Sequence, residues 1–339
     1  MTVAASSSDA IIRNTMLQVG DQFDRFQIRS YMAQGGMAEI YRAYDLMSGQ
    51  EVVLKIPNRM MIGDPAQYER FQRELEVTNT LKHPFIQKGL GSGQFNRTPY
   101  LVTEFVNGKS MRDLVTEQAP MAPDKAVVLI RKIADGIAYI HENEVVHRDL
   151  KPENILITGD DQPVILDFGL ALTKNAHRVT YANLTPSAGT PDYMAPEQIE
   201  GHRGDERTDL YAVGTMFYEL LTGHTPFIGD SYQAVMAQHL QGAIPRLDQE
   251  NPNVSQQLAA VVARTLQRKP EDRYPTMRAL INDLDHLDTV DTTILETGTG
   301  ATTARGFWVS PTFRTVIVSI LILIVIVILA LAAQGFAPK

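Results

Sequence analysis

His147-Arg148-Asp149-Leu150-Lys151-Pro152-Glu153-Asn154 reads as a catalytic loop. Asp149 can accept a proton from an attacking hydroxyl. Lys151, two residues on, can neutralise a transferring phosphoryl group, and Asn154 offers a carbonyl oxygen to a cation. Base, positive charge and metal ligand in one short loop are what phosphoryl transfer asks of a protein. The apolar run Ile155-Leu156-Ile157 follows, then a turn at Gly159-Asp160-Asp161, then Val164-Ile165-Leu166 leading into Asp167-Phe168-Gly169. This pattern predicts a hairpin that delivers a second carboxylate to the same place.

The two motifs in this order, joined by a hairpin, resemble the signature set of the protein kinases. The resemblance extends outward in both directions, over about Phe26 to Leu287. Upstream, Phe26 to Gln34 and Glu39 to Tyr44 are expected strands around Gly35-Gly36-Met37-Ala38. In the family a glycine-rich hairpin of pattern GxGxxGxV lets backbone N–H groups approach phosphate oxygens. Here Ala33, Gly35, Ala38 and Ile40 stand at the first, second and third glycines and the valine. Because alanine disfavours positive φ, the two departures bear on the shape of the loop, but they leave its backbone donors in place. The stretch from Gly35 to Ala43 is most similar to bacterial Hanks-type Ser/Thr kinases of the PknB-like family.

The resemblance assigns further residues. Lys55, in Val52-Val53-Leu54-Lys55, would hold the α- and β-phosphates of ATP, and Glu74 on a helix from Pro65 to Leu81 would orient it. Met32, Ala33, Gln34, Gly35, Gly36, Met37, Ala38 and Ile40 would cover the nucleotide. Tyr100 to Val106 would form the last small-lobe strand and the hinge, with Thr103 as gatekeeper and the Glu104 carbonyl and Val106 amide facing the adenine edge. Asn154 and Asp167 would hold Mg2+. Asp149 would act as base, Lys151 marks the Ser/Thr class, and Thr190, in Gly189-Thr190-Pro191, would hold the activation segment near both. Glu197, closing Ala195-Pro196-Glu197, is expected to pair with Arg273, and Asp209 to brace the catalytic loop from a buried helix. Arg148, with no evident partner for its charge, points to activation by phosphorylation of the threonine-rich segment holding Thr180, Thr185 and Ser187.

The implied fold is α+β and bilobal, with a small antiparallel-sheet lobe over residues 26–106 and a mostly helical lobe over 107–287. Helices are expected over Pro123 to Asn143, Ser231 to Leu240, Ser255 to Gln267 and Thr276 to Leu287. In the first of these, Val127, Ile130, Ile133, Ile137 and Ile140 form a core stripe, and His141 near its end reads as structural.

Composition bounds the rest. The net charge of −8 argues against nucleic acid as a main partner. With no cysteine, disulfides, thiolate metal sites and cysteine nucleophiles are excluded. Residues 1–25 read as a loose arm without a signal peptide. Residues 288–315 read as a flexible juxtamembrane linker rich in threonine and glycine. From Val316 to Ala333 every residue except Ser319 is apolar, about 27 Å of helix and close to the hydrocarbon thickness. A single transmembrane helix over 316–333 is therefore expected, with Arg305 and Arg314 before it and residues 334–339 as a short tail outside. A kinase needs cytosolic ATP, so the catalytic domain is placed on the cytoplasmic side of the inner membrane. The tail would be too short for an external sensor domain.

The expected activity is transfer of the ATP γ-phosphate to Ser or Thr of protein substrates, with a homodimer serving phosphorylation in trans. Two alternatives stand beside it. A pseudokinase scaffold would keep the fold without turnover, and an aminoglycoside-type phosphotransferase would share the base, asparagine and metal aspartate but resembles this chain poorly at Lys151 and Ala195-Pro196-Glu197.

Overall fold

The structure, a computed structural model, describes residues 16–34, 38–57, 65–168, 172–173 and 191–297. The chain divides into two compact units, Met1–Gly298 and Thr299–Lys339, and the second lies outside the described residues.

The small lobe is a six-stranded antiparallel sheet in the order β1-β2-β3-β4-β6-β5. Its strands are β1 (Gln22–Phe23), β2 (Phe26–Gln34), β3 (Ala38–Asp45), β4 (Gln50–Pro57), β5 (Gly89–Phe95) and β6 (Thr98–Glu104). Helix α1 (Pro65–Thr80) lies between β4 and β5 in the chain. Central strand β4 pairs with both β3 and β6, and everything from Val52 to Pro57 is buried. One face of the sheet buries Phe26, Ile28, Tyr41, Val52, Leu54 and Tyr100. A second cluster joins Ala38 and Leu101 to Phe71 and Leu75 of α1. Phe71, Leu75 and Thr78, which share one face at helical spacing, are all buried as that spacing requires. The hinge strand ends at Glu104, two residues short of the expected Val106.

In the large lobe, β7 (Gly108–Ser110) leads into α2 (Met111–Gln118) and then α3 (Pro123–Glu142). The short β8 (Val145–Val146), the hairpin β9 (Ile155–Thr158) with β10 (Pro163–Ile165), and β11 (Leu172–Thr173) follow. The helices are α4 (Pro196–Ile199), α5 (Glu206–Thr222), α6 (Tyr232–Gln241), α7 (Leu247–Glu250), α8 (Gln256–Thr265), α9 (Met277–Asp285) and α10 (Ile294–Thr297). The stripe on α3 is as expected, except that Val127 sits at its half-buried edge and Ala126 takes the buried place.

Helix α5 is the axis of this lobe. Every residue from Thr208 to Leu221 is buried, as befits a helix apolar nearly all round. Gly214 is required there: a Cβ would stand 1.9 Å from the Thr265 hydroxyl of α8, which leaves no room for a side chain. Ser231, Ser255 and Thr276, expected as first helical residues, are instead N-caps whose hydroxyls accept a backbone N–H three residues on.

The packed fold runs past Leu287. A 3-10 turn covers Leu287–Thr289, and α10 follows inside the stretch expected to be linker. Leu295 is 4% exposed within the large-lobe core, and the Arg246 guanidinium donates to its carbonyl at 3.2 Å. Leu287, Val290 and Ile294 pack against the same core, half-buried, so a few apolar residues dock a stretch that is otherwise polar and rich in threonine. Burial of the Leu295 side chain is worth about 2 kcal/mol. A fragment ending at Leu287 should therefore melt about 5 °C below one ending at Thr297 in a calorimetric comparison. Equal melting temperatures would show that the segment adds nothing.

Candidate active site

The catalytic loop is built by its neighbours. Asp209 at the start of α5 accepts the backbone N–H of His147 at 2.9 Å and of Arg148 at 2.8 Å. Its Oδ2 also meets His141 Nε2 at 2.8 Å. Burial alone would raise this carboxyl, but the His141 contact, the neighbouring His147 and the Arg148 N–H outweigh it and hold it below the usual carboxylate range. His141 is thus structural, as expected. The clasp secures a strained turn, because Arg148 sits at φ 68°, a conformation costing non-glycine residues about 1–2 kcal/mol.

His147 is fully buried and links the two motifs. Its Nε2 lies 3.1 Å from the Leu166 carbonyl, and its Nδ1 accepts the Asp149 N–H at 3.3 Å. The second bond requires a bare Nδ1, so the proton is on Nε2 and donates to Leu166. Phe168, 2% exposed, lies tilted against the same ring at 5.3 Å. The expected hairpin forms with Ile155 opposite Ile165, and Leu166 N–H donates to Asn154 O at 2.8 Å. Asn154 and Asp167 are thereby brought side by side. Asp167 itself has φ 62°.

Lys151 Nζ donates to Asp149 Oδ2 at 2.8 Å. Asn154 Nδ2 donates to the Asp149 carbonyl at 2.8 Å and to the same Oδ2 at 3.1 Å. Two donors on one oxygen leave Oδ1 of Asp149 to accept a substrate hydroxyl. They also fix the amide of Asn154, so that its own Oδ1 is the free acceptor. Across the cleft, Lys55 Nζ is 2.5 Å from Glu74 Oε1 and 3.7 Å from Asp167 Oδ1. Burial pulls the Lys55 ammonium down, yet the charges of Asp167 and Glu74 outweigh it and keep it above the ordinary lysine range.

Asn154 Oδ1 and the Asp167 carboxylate are hard oxygen donors, two in number. That set fits a Mg2+ ion, which favours one or two protein oxygens with the remaining positions filled by water and phosphate. Among the described residues no group of three or more His, Asp or Glu offers an all-protein metal cage.

The remaining expected residues fall as follows. Met32, Ala33 and Gln34 end β2, and Ala38 and Ile40 begin β3, with Ala33 opposite Ile40 in register. Ala33 lies in extended strand, so the alanine at the first glycine position is not strained. Gly35, Gly36, Met37 and Thr190 lie outside the described residues, as do Thr180, Thr185 and Ser187. Thr103 is buried, and Glu104 and Val106 are half-buried. Glu197 and Arg273 form the expected pair, with Nη1 to Oε1 and Nη2 to Oε2 both at 2.8 Å.

One expectation is corrected. The charge of Arg148 is not left without a partner, since its guanidinium donates to the Gly204 carbonyl at 3.2 Å. Position 204 is a glycine held at φ 64°, a backbone contact that no motif announces.

Two features carried no sequence signal. Arg112 of α2 bridges Glu153 at 2.8 Å and Glu219 at 2.6 Å, tying the catalytic loop to α5, while Tyr193 bonds to both Arg112 and Glu219. The side chain of Gln87 donates through Nε2 to the Glu104 carbonyl at 3.0 Å.

An antiparallel sheet carrying the Lys55–Glu74 pair, joined to a mostly helical lobe carrying Asp149 with Lys151, is the architecture of a phosphotransferase of the kinase class. Residues 26–284 match the family described as the protein kinase domain, and the chain belongs to that family. It is 36% identical over 261 residues to the serine/threonine-protein kinase PknL of Mycobacterium tuberculosis, covering 77% of this chain and 65% of that one. PknB of Mycobacterium leprae is 34% identical over 265 residues, covering 77% and 42%. A probable PknB of Lactococcus lactis is 34% identical over 271 residues, covering 79% and 43%. The chain thus spans between two fifths and two thirds of the length of these relatives. The crystal structure of the PknI kinase domain of Mycobacterium tuberculosis superposes with a TM-score of 0.63 at 24% identity, over 80% of this chain and all of that one, and shares the bilobal fold.

Proposed function

We propose that the chain is a serine/threonine protein kinase that transfers the γ-phosphate of Mg·ATP to protein hydroxyls. The observation that carries this reading is Asp149 with Lys151 and Asn154 on one carboxylate oxygen, facing the Lys55–Glu74 pair across Asp167. Asp149 Oδ1 orients the hydroxyl and takes its proton. Lys151, seated on Asp149, presents positive charge to the transferring group. Lys55, locked by Glu74, holds the α- and β-phosphates, while the Glu104 carbonyl and Val106 amide meet the adenine edge. Asn154 and Asp167 would hold the magnesium, which would neutralise charge on the phosphate oxygens.

A scaffold without turnover would have no need of all these groups at once. A small-molecule phosphotransferase would have no need of the Glu197–Arg273 anchor below the segment that precedes it. Labelled ATP offered with a generic protein substrate and, separately, an aminoglycoside decides among the three. Label on protein serine or threonine supports the reading, label on the sugar replaces it, and no transfer to either leaves a scaffold.

The run Val316 to Ala333 anchors the chain in the membrane, with the kinase domain on the ATP-bearing side. It lies outside the described residues, among which no helix is long and apolar enough to cross a membrane. Tethering two copies to one surface raises their effective concentration. Phosphorylation in trans of Thr180, Thr185 or Ser187 then switches the enzyme on. A fragment ending at Thr297 should self-activate at a rate that rises with its concentration, whereas the membrane-bound chain activates readily at low copy number. Mass spectrometry should find phosphate between residues 173 and 190 in the active form. A dilute fragment that activates as fast as the tethered chain, or an active form unmodified there, would refute the switch.

A further inference from the structure

Gln87 lies between α1 and β5, is 6% exposed, and joins two parts of the site. Its backbone N–H donates to the Ile165 carbonyl at 2.9 Å, two residues before Asp167, and the Ile165 N–H returns to Phe85 O at 2.9 Å. Its side chain reaches the hinge. Glu104 N–H donates to Lys88 O at 3.0 Å, Glu104 Oε1 accepts the Lys88 N–H at 2.8 Å, and Glu104 O accepts Gln87 Nε2 at 3.0 Å.

The bond to a carbonyl fixes which end of the carboxamide is which. The donor on Glu104 O is the NH2, so Oε1 is the acceptor left over. Among the described residues nothing donates to that oxygen. The residue is 6% exposed, but its Oε1 is not among the buried side-chain atoms that lack a partner, so this acceptor is reached by solvent, on the same carboxamide that binds the atom assigned to the adenine edge. A ligand donor that meets this acceptor exchanges a water contact for a direct hydrogen bond, a modest net gain.

We propose that Gln87 reads the 6-position of the bound base. The exocyclic amine of adenine has two hydrogens. One goes to the Glu104 carbonyl and the other to Gln87 Oε1, while Gln87 Nε2 keeps its bond to the same carbonyl. Both hydrogens of the amine and the leftover carboxamide oxygen are then paired. This rests on the assignment of Glu104 and Val106 to the adenine edge, and it adds a side chain to what would otherwise be recognition by backbone alone.

The test compares ATP with purine riboside 5′-triphosphate, which carries hydrogen in place of the 6-amino group, in steady-state kinetics on the full chain. Two hydrogen bonds to the amine predict a preference for ATP of about 30-fold in kcat/KM, expressed in KM. In Gln87→Leu, and in Gln87→Met whose unbranched chain has matching reach, the preference should fall to about fivefold, one bond remaining. A wild-type preference of only about fivefold that neither variant changes overturns the proposal and leaves Gln87 as a brace. Should neither variant fold, the wild-type value alone decides, since a preference near fivefold contradicts a second bond. A wild type that does not distinguish the two nucleotides removes the hinge assignment itself, and the proposal with it.

Discussion

Asp167→Asn is expected to lower turnover by about 10³-fold or more at saturating ATP while leaving the melting temperature unchanged. The substitution removes the one anionic oxygen ligand proposed for the magnesium and keeps the shape of the side chain. Metal charge stabilises the transferring phosphoryl by several kcal/mol, and each 1.36 kcal/mol is about tenfold in rate. The fold should not suffer, because asparagine is among the residues that best tolerate positive φ and Asp167 is at φ 62° with a side chain 44% exposed. Lys55→Met makes the contrasting case. It also removes turnover, but it strands Glu74, 4% exposed, without the cation 2.5 Å away. Breaking a buried pair by removing one partner costs about 3–5 kcal/mol, so this variant should lose stability as well as rate. Turnover near wild type in Asp167→Asn, with the fold retained, would sink the site assignment.

Arg273→Leu should destabilise the large lobe by about 3–5 kcal/mol, read as a lower midpoint in urea unfolding. The Arg273 side chain is fully buried and that of Glu197 nearly so. Besides the two bonds to Glu197, the guanidinium donates to the carbonyls of Arg207, Gln267 and Arg268 at 2.7–2.9 Å and lies 4.8 Å from the centre of the Tyr211 ring. Leucine would leave a buried carboxylate and three carbonyls without that donor. Thr208, whose hydroxyl bonds to Glu197 Oε1 at 2.8 Å, compensates only in part. The double variant Glu197→Leu, Arg273→Leu should recover some of the loss, because no unpaired charge remains. A single-variant loss below about 1 kcal/mol would mean that the pair is not an anchor.

What the sequence made legible was the part written in short motifs and long periods. His147 to Asn154, Asp167-Phe168-Gly169 and the Glu197–Arg273 match identified the fold and most of the floor of the site, although the last pair is 76 residues apart. The α3 stripe and the strand around Lys55 followed from spacing. Contacts made by one residue with no repeat were not legible. Leu295 enters the core from a polar stretch, Arg148 finds a carbonyl at Gly204, and Gln87 reaches the hinge from a connecting segment. Each depends on where the backbone travels after many residues, which neither composition nor periodicity encodes. The packed fold passes the expected linker boundary because the polar average over Asp288 to Thr303 hides Val290, Ile294 and Leu295, which pack on the large-lobe core.

The left-handed backbone at Arg148 and Asp167 sets heat resistance against turnover. Glycine at position 167 would relieve about half to 1 kcal/mol, after allowing for the extra freedom glycine gives the unfolded chain. It would also delete the carboxylate proposed to hold the metal. A library sorted for survival on heating should therefore drift toward glycine there, while one sorted for activity should hold the acid. Elsewhere in the core the two selections should agree. Divergence between two such libraries is then a way to locate functional residues in this chain.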